Sequence, residues 1–456
     1  MTLDRMDRIH IVGVGGAGMS ALATILVQRG YKVSGSDLKG SAATERLLAL
    51  GVDVTIGHLP ENVGDAKVLA YSTAVRESNS ELSAARTAGI KVIDRAELLR
   101  ELCVDRRVIA ISGTHGKTTT TSMMSLALVG AGLDPTFVVG GELNEVGTGA
   151  HSGGSDYMVV EADESDGTHL KIPEYLAVLT NVEPDHLDHY GSVAGLEHAF
   201  STFVERSVLP AVVCLDDVGA ERVSRDMPRV SYGFSTRADY RIIDLELLQD
   251  GTRFTVRFEG DDVAKVLLAI PGRHNALNAT AVIAATQSLG VPISPVVVAL
   301  GRYTGVARRF QLKGEALSAT FYDDYAHLPG EIGVTLQSAR QVGAGRRVVA
   351  IFQPHRYSRT KELASELGES LGGCDFAIVT DVYSAGEAPI PGISGAAVAA
   401  SARAILGQDR VLYVPYRSDL GNEVAKVIRR GDLVLTLGAG DITNLFWELP
   451  EETSGT

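Results

Sequence analysis

The run Gly113-Thr-His-Gly-Lys-Thr-Thr-Thr120 constrains the fold more than any other feature of this chain. Ahead of it lies the apolar stretch Val108-Ile-Ala-Ile-Ser112, which reads as a buried strand. Behind it, Met123, Met124, Leu126, Ala127 and Leu128 give residues 121–129 the apolar face of a helix. Strand, glycine turn, Lys-Thr and helix, in that order, form a cradle for a nucleotide triphosphate. Backbone N–H groups of the turn and of the helix N-terminus face phosphate oxygens, Lys117 adds positive charge, and the Thr118 hydroxyl can ligate Mg²⁺. Gly113, Thr114, His115, Gly116, Lys117, Thr118 and Thr119 are therefore candidate ATP contacts. The spacing departs from a standard Walker loop, which wants glycine where Ile111 sits; here only two residues separate Gly113 from Gly116.

Size and charge narrow the setting. A chain of 456 residues accommodates about three domains, and 45% apolar with 21% charged residues suits globular cores. The first eight residues lack the apolar stretch of a signal peptide, and no apolar segment reaches transmembrane length, so no membrane insertion is expected. Cys103, Cys214 and Cys374 are too far apart for a CxxC pair and odd in number, which suits a reducing cytoplasm. The net charge of −14 argues against nucleic acid and anionic membranes as partners. ATP is not excluded, because a local site can supply Lys, Mg²⁺ and backbone N–H groups. Oligomeric state is not legible.

The pattern is α/β in three blocks, with expected boundaries 1–103, 104–310 and 311–456. In the first, strand Arg8–Val12 enters Gly13-Val-Gly-Gly-Ala-Gly18, a helix spans residues 19–29, and strand residues 31–37 end at Asp37. This is a Rossmann-like βαβ unit whose Gly15, Gly16, Ala17 and Gly18 form a phosphate-binding turn, with an acid about twenty residues on. The fingerprint does not single out NAD, and a purely structural tight turn is the alternative. In the second block, strand residues 156–160 end in Glu161-Ala-Asp-Glu-Ser-Asp166, and residues 176–180 end in Asn181-Val-Glu-Pro-Asp-His-Leu-Asp-His189. Ligands gather at the carboxyl ends of parallel strands, so Thr118, Glu161 and His186 are expected to converge on Mg²⁺. A solvated acidic loop, or zinc at His186 and His189, are the competing readings. Asn275 and Asn278 share one face of a helix opening at Pro271, where their amides could read a base edge or merely cap. In the third block, strands at 319–322, 347–352, 376–380, 411–414 and 433–437 imply another Rossmann-like sheet with polar clusters after the strand ends.

Taken together, Gly13–Gly18, Gly113–Thr118, Glu161–Glu164, Asp185-His-Leu-Asp188, Gly272-Arg-His-Asn275 and Arg308-Arg-Phe310 resemble the Mur ligase family, in order, over nearly the whole chain. The resemblance implies three domains: an N-terminal one for a UDP-sugar, a central P-loop one for ATP, and a C-terminal one for the amino acid. It implies an ATP-dependent ligase that joins L-alanine to the lactyl carboxylate of UDP-N-acetylmuramate through an acyl phosphate, in peptidoglycan precursor synthesis. By the same resemblance Lys117 contacts the β/γ-phosphates, Thr118 and Glu161 hold one Mg²⁺, His186 holds a second, Asn275 lies by adenine, and Arg308 lies near the phosphates. Gly15 to Gly18, Asp37 and Ser72 would receive the UDP end, with His115 facing the sugar. Tyr325, His327, His355, Arg356 and Arg359 match the amino-acid region, Lys117, His186, His327 and His355 being the catalytic candidates.

Two departures refine this. No lysine occurs between Lys171 and Lys265, and Phe203 falls near the place where several relatives carry a carbamylated lysine. That favours the alanine-adding branch. Leu328 stands where many relatives show a second histidine. Alternatives are a recycling member of the family that attaches a tripeptide, an NAD-dependent oxidoreductase built on the Gly13 turn, and a non-catalytic nucleotide switch.

Overall fold

The computed structural model describes residues 6–144 and 148–450, with the side chain of Asp188 excepted. The chain divides into two compact units. One comprises residues up to 245 with 254–267 and 276–304; the other comprises 246–253, 268–275 and 305 onward.

The first unit opens with a five-stranded parallel sheet in the order Asp53–Ile56, Lys32–Asp37, Arg8–Val12, Val68–Tyr71, Lys91–Asp94. Ile9 and Ile11 point into one apolar layer and Val12 with Leu69 into another, so the sheet is covered on both faces. Helix Ala17–Gln28, with Gly16 as its N-cap, begins two residues earlier than its apolar pattern predicts. Its Met19, Leu22, Ile25 and Leu26 are buried, which fixes the glycine turn against the sheet.

The second sheet carries the Gly113 loop. Strand Arg107–Ser112 lies between Leu176–Leu179 and Tyr157–Glu161 and pairs with both in parallel. Three carboxyl ends therefore finish side by side, delivering the loops that begin at Gly113, Thr180 and Ala162 to one place. Strand Thr136–Leu143 pairs with Tyr157–Glu161 on the outer side and forms a hairpin with Thr148–His151. That hairpin, and the strands Tyr240–Leu248, Gly251–Phe258 and Asp261–Leu268 at the other end of the sheet, were not marked by the sequence pattern.

The third sheet runs Gln311–Ala316, Ala319–Asp324, Leu433–Leu437, Val348–Phe352, Phe376–Thr380, Val411–Val414. Only the first pair is antiparallel. The five expected strands are all present, and Gln311–Ala316 joins them at the edge. The sheet is sandwiched between two apolar layers, with Ala350 and Leu435 facing one and Val349 and Val434 the other.

Candidate active site

Gly113 and Gly116 hold the loop in its shape. Gly113 has φ +134° and packs on Thr180 and Asn181 so closely that any β-carbon would collide with the Thr180 hydroxyl; Gly116 is left-handed at φ +81°. Helix Lys117–Gly130 starts directly after it, four residues ahead of the expected start, so Lys117, Thr118 and Thr119 form its first turn. The loop is tied to the neighbouring strand end at several points. The Thr114 N–H donates to Asn181 O at 3.1 Å, the His115 N–H to Asn181 Oδ1 at 2.7 Å, and Thr180 Oγ1 to His115 O at 2.6 Å. His115 Nε2 lies 3.1 Å from Glu183 Oε2. Asn278 stands against Gly116 from the helix Arg273–Ser288, its Oδ1 2.9 Å from where a β-carbon of Gly116 would lie.

Lys117 is nearly enclosed. Its Nζ donates to Gly113 O at 2.7 Å, to Thr114 O at 3.2 Å and to Glu164 Oε1 at 2.8 Å. Burial disfavours its charge, but Glu164, Asp163 and Glu161 outweigh that and hold the ammonium pKa above the ordinary lysine value. Burial pushes the Glu164 carboxyl up to about 7, against the pull of Lys117. Tyr190 donates from its hydroxyl to Glu164 O at 2.5 Å and so closes the back of the acidic loop.

Thr118 and Glu161 come together as expected: Thr118 Oγ1 donates to Glu161 Oε1 at 2.9 Å. The other oxygen, Oε2, accepts the Gly140 N–H at 2.8 Å, a contact with no sequence signal. His186 sits with φ +52° at the start of the short helix Leu187–Tyr190, its Nε2 3.2 Å from Asp185 Oδ2. Among the described residues no group of three or more His, Cys, Asp or Glu side chains has metal-holding geometry. A hydroxyl beside a carboxylate is nevertheless a fitting donor set for Mg²⁺, which takes few protein oxygens and fills its octahedron with phosphate and water.

In the first sheet, the Gly15 N–H donates to Asp37 Oδ2 at 2.9 Å, so Asp37 braces the glycine turn. Gly16 and Ala17 are exposed at the open helix N-terminus, and Ser72 packs against Gly13. Gly18 lies against the side chain of Arg95, whose Nη2 donates to Asp166 Oδ2 at 2.7 Å. Arg95 was not expected from sequence; it links the glycine turn to the acidic loop behind Lys117.

The amino-acid candidates lie in the second unit. Tyr325 and His327 follow strand Ala319–Asp324, and His355, Arg356 and Arg359 follow strand Val348–Phe352. Ring centroids are 5.4 Å apart for Tyr325 and His327, 5.8 Å for His327 and His355, and 5.7 Å for His355 and Tyr383. Arg359 Nη1 donates to His355 Nδ1 at 3.3 Å. Arg308 also belongs to this unit. Its Nη2 donates to Gly438 O at 2.7 Å and Gly440 O at 3.1 Å, with its guanidinium 4.9 Å from the Tyr325 ring centre. Asn275 Nδ2 donates to Pro271 O at 2.7 Å, a turn-closing contact within the same unit.

Known proteins share this arrangement from end to end. The families described as "Mur ligase family, catalytic domain", "Mur ligase middle domain" and "Mur ligase, glutamate ligase domain" match residues 8–107, 111–286 and 308–440. The chain is 46% identical over 443 residues to the UDP-N-acetylmuramate–L-alanine ligase of Anaeromyxobacter dehalogenans, covering 96% of each. This chain belongs to the Mur ligase family. The protein of the same name from Acidothermus cellulolyticus is 44% identical over 96% of this chain and 93% of its own. The crystal structure of the UDP-N-acetylmuramate-alanine ligase of Thermotoga maritima superimposes with a TM-score of 0.84 at 30% identity, covering 97% and 98% of the two chains. The three-domain α/β fold is thus that of a Mur ligase. Within that fold Phe203 is fully buried among apolar side chains and serves the core.

Proposed function

We propose that this protein uses ATP to join L-alanine to the lactyl carboxylate of UDP-N-acetylmuramate, releasing ADP and phosphate. The observation that carries the reading is the meeting of Lys117, Thr118 and Glu161 at adjoining parallel strand ends in a chain 46% identical, over 96% of its length, to a ligase of that name. Residues 1–103 would receive the UDP-sugar, 104–310 ATP, and 311–456 the amino acid.

The chemistry follows from charge. A carboxylate is a poor acyl donor because oxide is a poor leaving group, whereas phosphate departs readily. Transfer of the γ-phosphoryl group to the lactyl carboxylate therefore precedes attack by the amine of alanine. Lys117 would turn its donors from the Gly113 and Thr114 carbonyls to the β/γ-phosphates. Gly113, Thr114, His115, Gly116 and Thr119 would present the turn and the helix N-terminus to the same oxygens. Mg²⁺ held by Thr118 and Glu161 would neutralise phosphate charge, and His186 would mark a second such position near the carboxylate. Asn275 by the adenine and Arg308 by the phosphates remain part of the proposal. Gly15, Gly16, Ala17, Gly18, Asp37 and Ser72 would hold the UDP end, with His115 toward the sugar. Arg356 and Arg359 offer guanidinium forks to the alanine carboxylate, beside Tyr325, His327 and His355.

No helix among the described residues is long and apolar enough to cross a membrane. Cys103, Cys214 and Cys374 are free and buried, as a cytoplasmic enzyme would keep them.

Purified protein with ATP, Mg²⁺ and UDP-N-acetylmuramate tests the reading by phosphate release in the presence of L-alanine, of tripeptide, or of neither. Release that needs both the sugar nucleotide and L-alanine is expected. Release driven by tripeptide instead would make it a recycling ligase, and slow hydrolysis indifferent to both would make it a nucleotide switch.

A further inference from the structure

A bound amino acid presents an ammonium, which cannot attack a carbonyl carbon until it has given up a proton. Two imidazoles stand in the candidate amino-acid region, and their neighbours give them opposite capacities. His327 Nδ1 lies 3.1 Å from the Tyr325 carbonyl oxygen and 3.2 Å from Glu331 Oε2. A carbonyl only accepts, so Nδ1 carries the hydrogen and Nε2 keeps its lone pair. His355 is the reverse. Its Nδ1 faces Arg359 Nη1 at 3.3 Å, and a guanidinium only donates, so Nδ1 is the acceptor and Nε2 carries the hydrogen. Burial, with the charges of His327, Arg359 and Arg356, holds the His355 pKa down to about 3. His355 therefore stays neutral and takes up no proton near neutral pH.

We propose that Glu331 is the positioning residue of the amide-forming step, holding His327 so that its Nε2 acts as general base for the incoming amine. The proposal rests on the ligase reading above and deepens it. One N–H bond of the alanine ammonium breaks and its proton passes to His327 Nε2, giving an imidazolium stabilised through Nδ1–H by Glu331. The freed nitrogen lone pair forms the C–N bond at the acyl phosphate carbon. The C–O electron pair leaves with phosphate as the tetrahedral intermediate collapses, and the second ammonium proton goes to solvent. Around His327, the positive groups are Arg308 and Arg309, whose guanidinium groups lie 4.9 Å and 5.4 Å from the Tyr325 ring centre, Arg309 Nη1 also being 3.9 Å from Glu331 Oε1, and Arg356 and Arg359 beyond His355. Glu331 opposes them, with Asp324 on the strand behind, where burial raises the carboxyl to about 6.

Glu331 also has a structural duty. Its Oε2 accepts the N–H of His327 at 3.0 Å and of Leu328 at 3.2 Å, closing the start of helix Pro329–Gly343. Glu331→Gln separates the two duties, because an amide oxygen still caps while the charge is gone. The test follows phosphate release by the full-length protein across pH, with either L-alanine or hydroxylamine, an amine already unprotonated at neutral pH. Glu331→Gln is expected to melt near wild type and to lose roughly a hundredfold in the alanine reaction. Hydroxylamine should be used nearly as well as by wild type. His327→Gln, which leaves the cap in place, should show the same split between the two amines. A folded Glu331→Gln protein with the wild-type alanine profile, or one that loses both amines alike, overturns the proposal. A wild-type protein that releases no phosphate in response to L-alanine overturns the ligase reading and the proposal with it.

Discussion

Lys117 and Glu164 are buried together, with side-chain exposures of 13% and 3%, so each depends on the other's charge. Lys117→Ala should lower kcat at least ~10²-fold, the size of effect expected when a preorganised donor is removed from a charged transition state, while UDP-sugar binding measured by calorimetry stays largely intact. Glu164, already at about 7, would stay protonated without its partner. Adding Glu164→Gln should therefore leave the melting temperature of Lys117→Ala nearly unchanged and turnover still lost. Glu174 provides a separate test by pH. Its Oε1 is buried without a hydrogen-bond partner, its Oε2 is 3.2 Å from Arg206 Nη2, and burial raises its pKa from 4.5 to about 7. A carboxyl whose folded pKa is raised contributes most below 4.5 and loses that contribution as pH rises through 7. The shift corresponds to at most about 3 kcal/mol. Glu174→Gln should flatten the decline in stability seen by denaturant titration between pH 5 and pH 8. At this scale Lys117, Thr118 and Glu161 were legible, because a strand end, a glycine turn and a helix start fix where such side chains must point. Glu331 and Arg95 were not, since a charged residue in a first helical turn reads as an ordinary cap or solvated face until its partner is known.

Strand Thr136–Leu143 shows what an element contributes without any catalytic side chain. Its Gly140 lies so close to Glu161 that a β-carbon there would stand 2.6 Å from Oε2. Gly140→Ala should push Glu161 away from Thr118. The expected outcome is a roughly tenfold or greater rise in the Mg²⁺ concentration giving half-maximal activity, with KM for UDP-N-acetylmuramate unchanged, read by metal titration of phosphate release. The central parallel strands, such as Arg8–Val12, Arg107–Ser112 and Leu433–Leu437, were readable because burial on both faces gives short continuous apolar runs, whereas Asp53–Ile56, Ala211–Cys214 and Arg229–Gly233 were not marked. The Thr136–Leu143 strand escaped notice because Gly140-Gly141 interrupts its pattern. The strands from Tyr240 to Leu268 escaped because exposed charged residues, such as Glu246 and Lys265, break their apolar runs.

At the scale of the molecule, the sugar-nucleotide candidates and the Gly113–Thr119 loop share one compact unit, joined by Arg95–Asp166 at 2.7 Å and Lys171–Asp94 at 2.6 Å, whereas Asn275 and Arg308 belong to the second. If Arg95 couples the two sites, Arg95→Ala and Asp166→Asn should each lower stability and raise KM for both UDP-sugar and ATP. The double variant should be less impaired than the sum, with a coupling of about 0.5–3 kcal/mol. The succession of three α/β blocks was evident from the order of strands and helices. The compact division at residues 304 and 305, with 246–253 and 268–275 assigned to the second unit, depends on long-range packing that no local pattern encodes. The most direct measurement is a crystal of the protein grown with a nonhydrolysable ATP analogue and Mn²⁺, read by anomalous scattering. The account predicts triphosphate oxygens on the Gly113–Thr118 turn within reach of Lys117, and a manganese peak contacting Thr118 and Glu161. A nucleotide bound elsewhere, or Glu161 turned away from the metal, would contradict it.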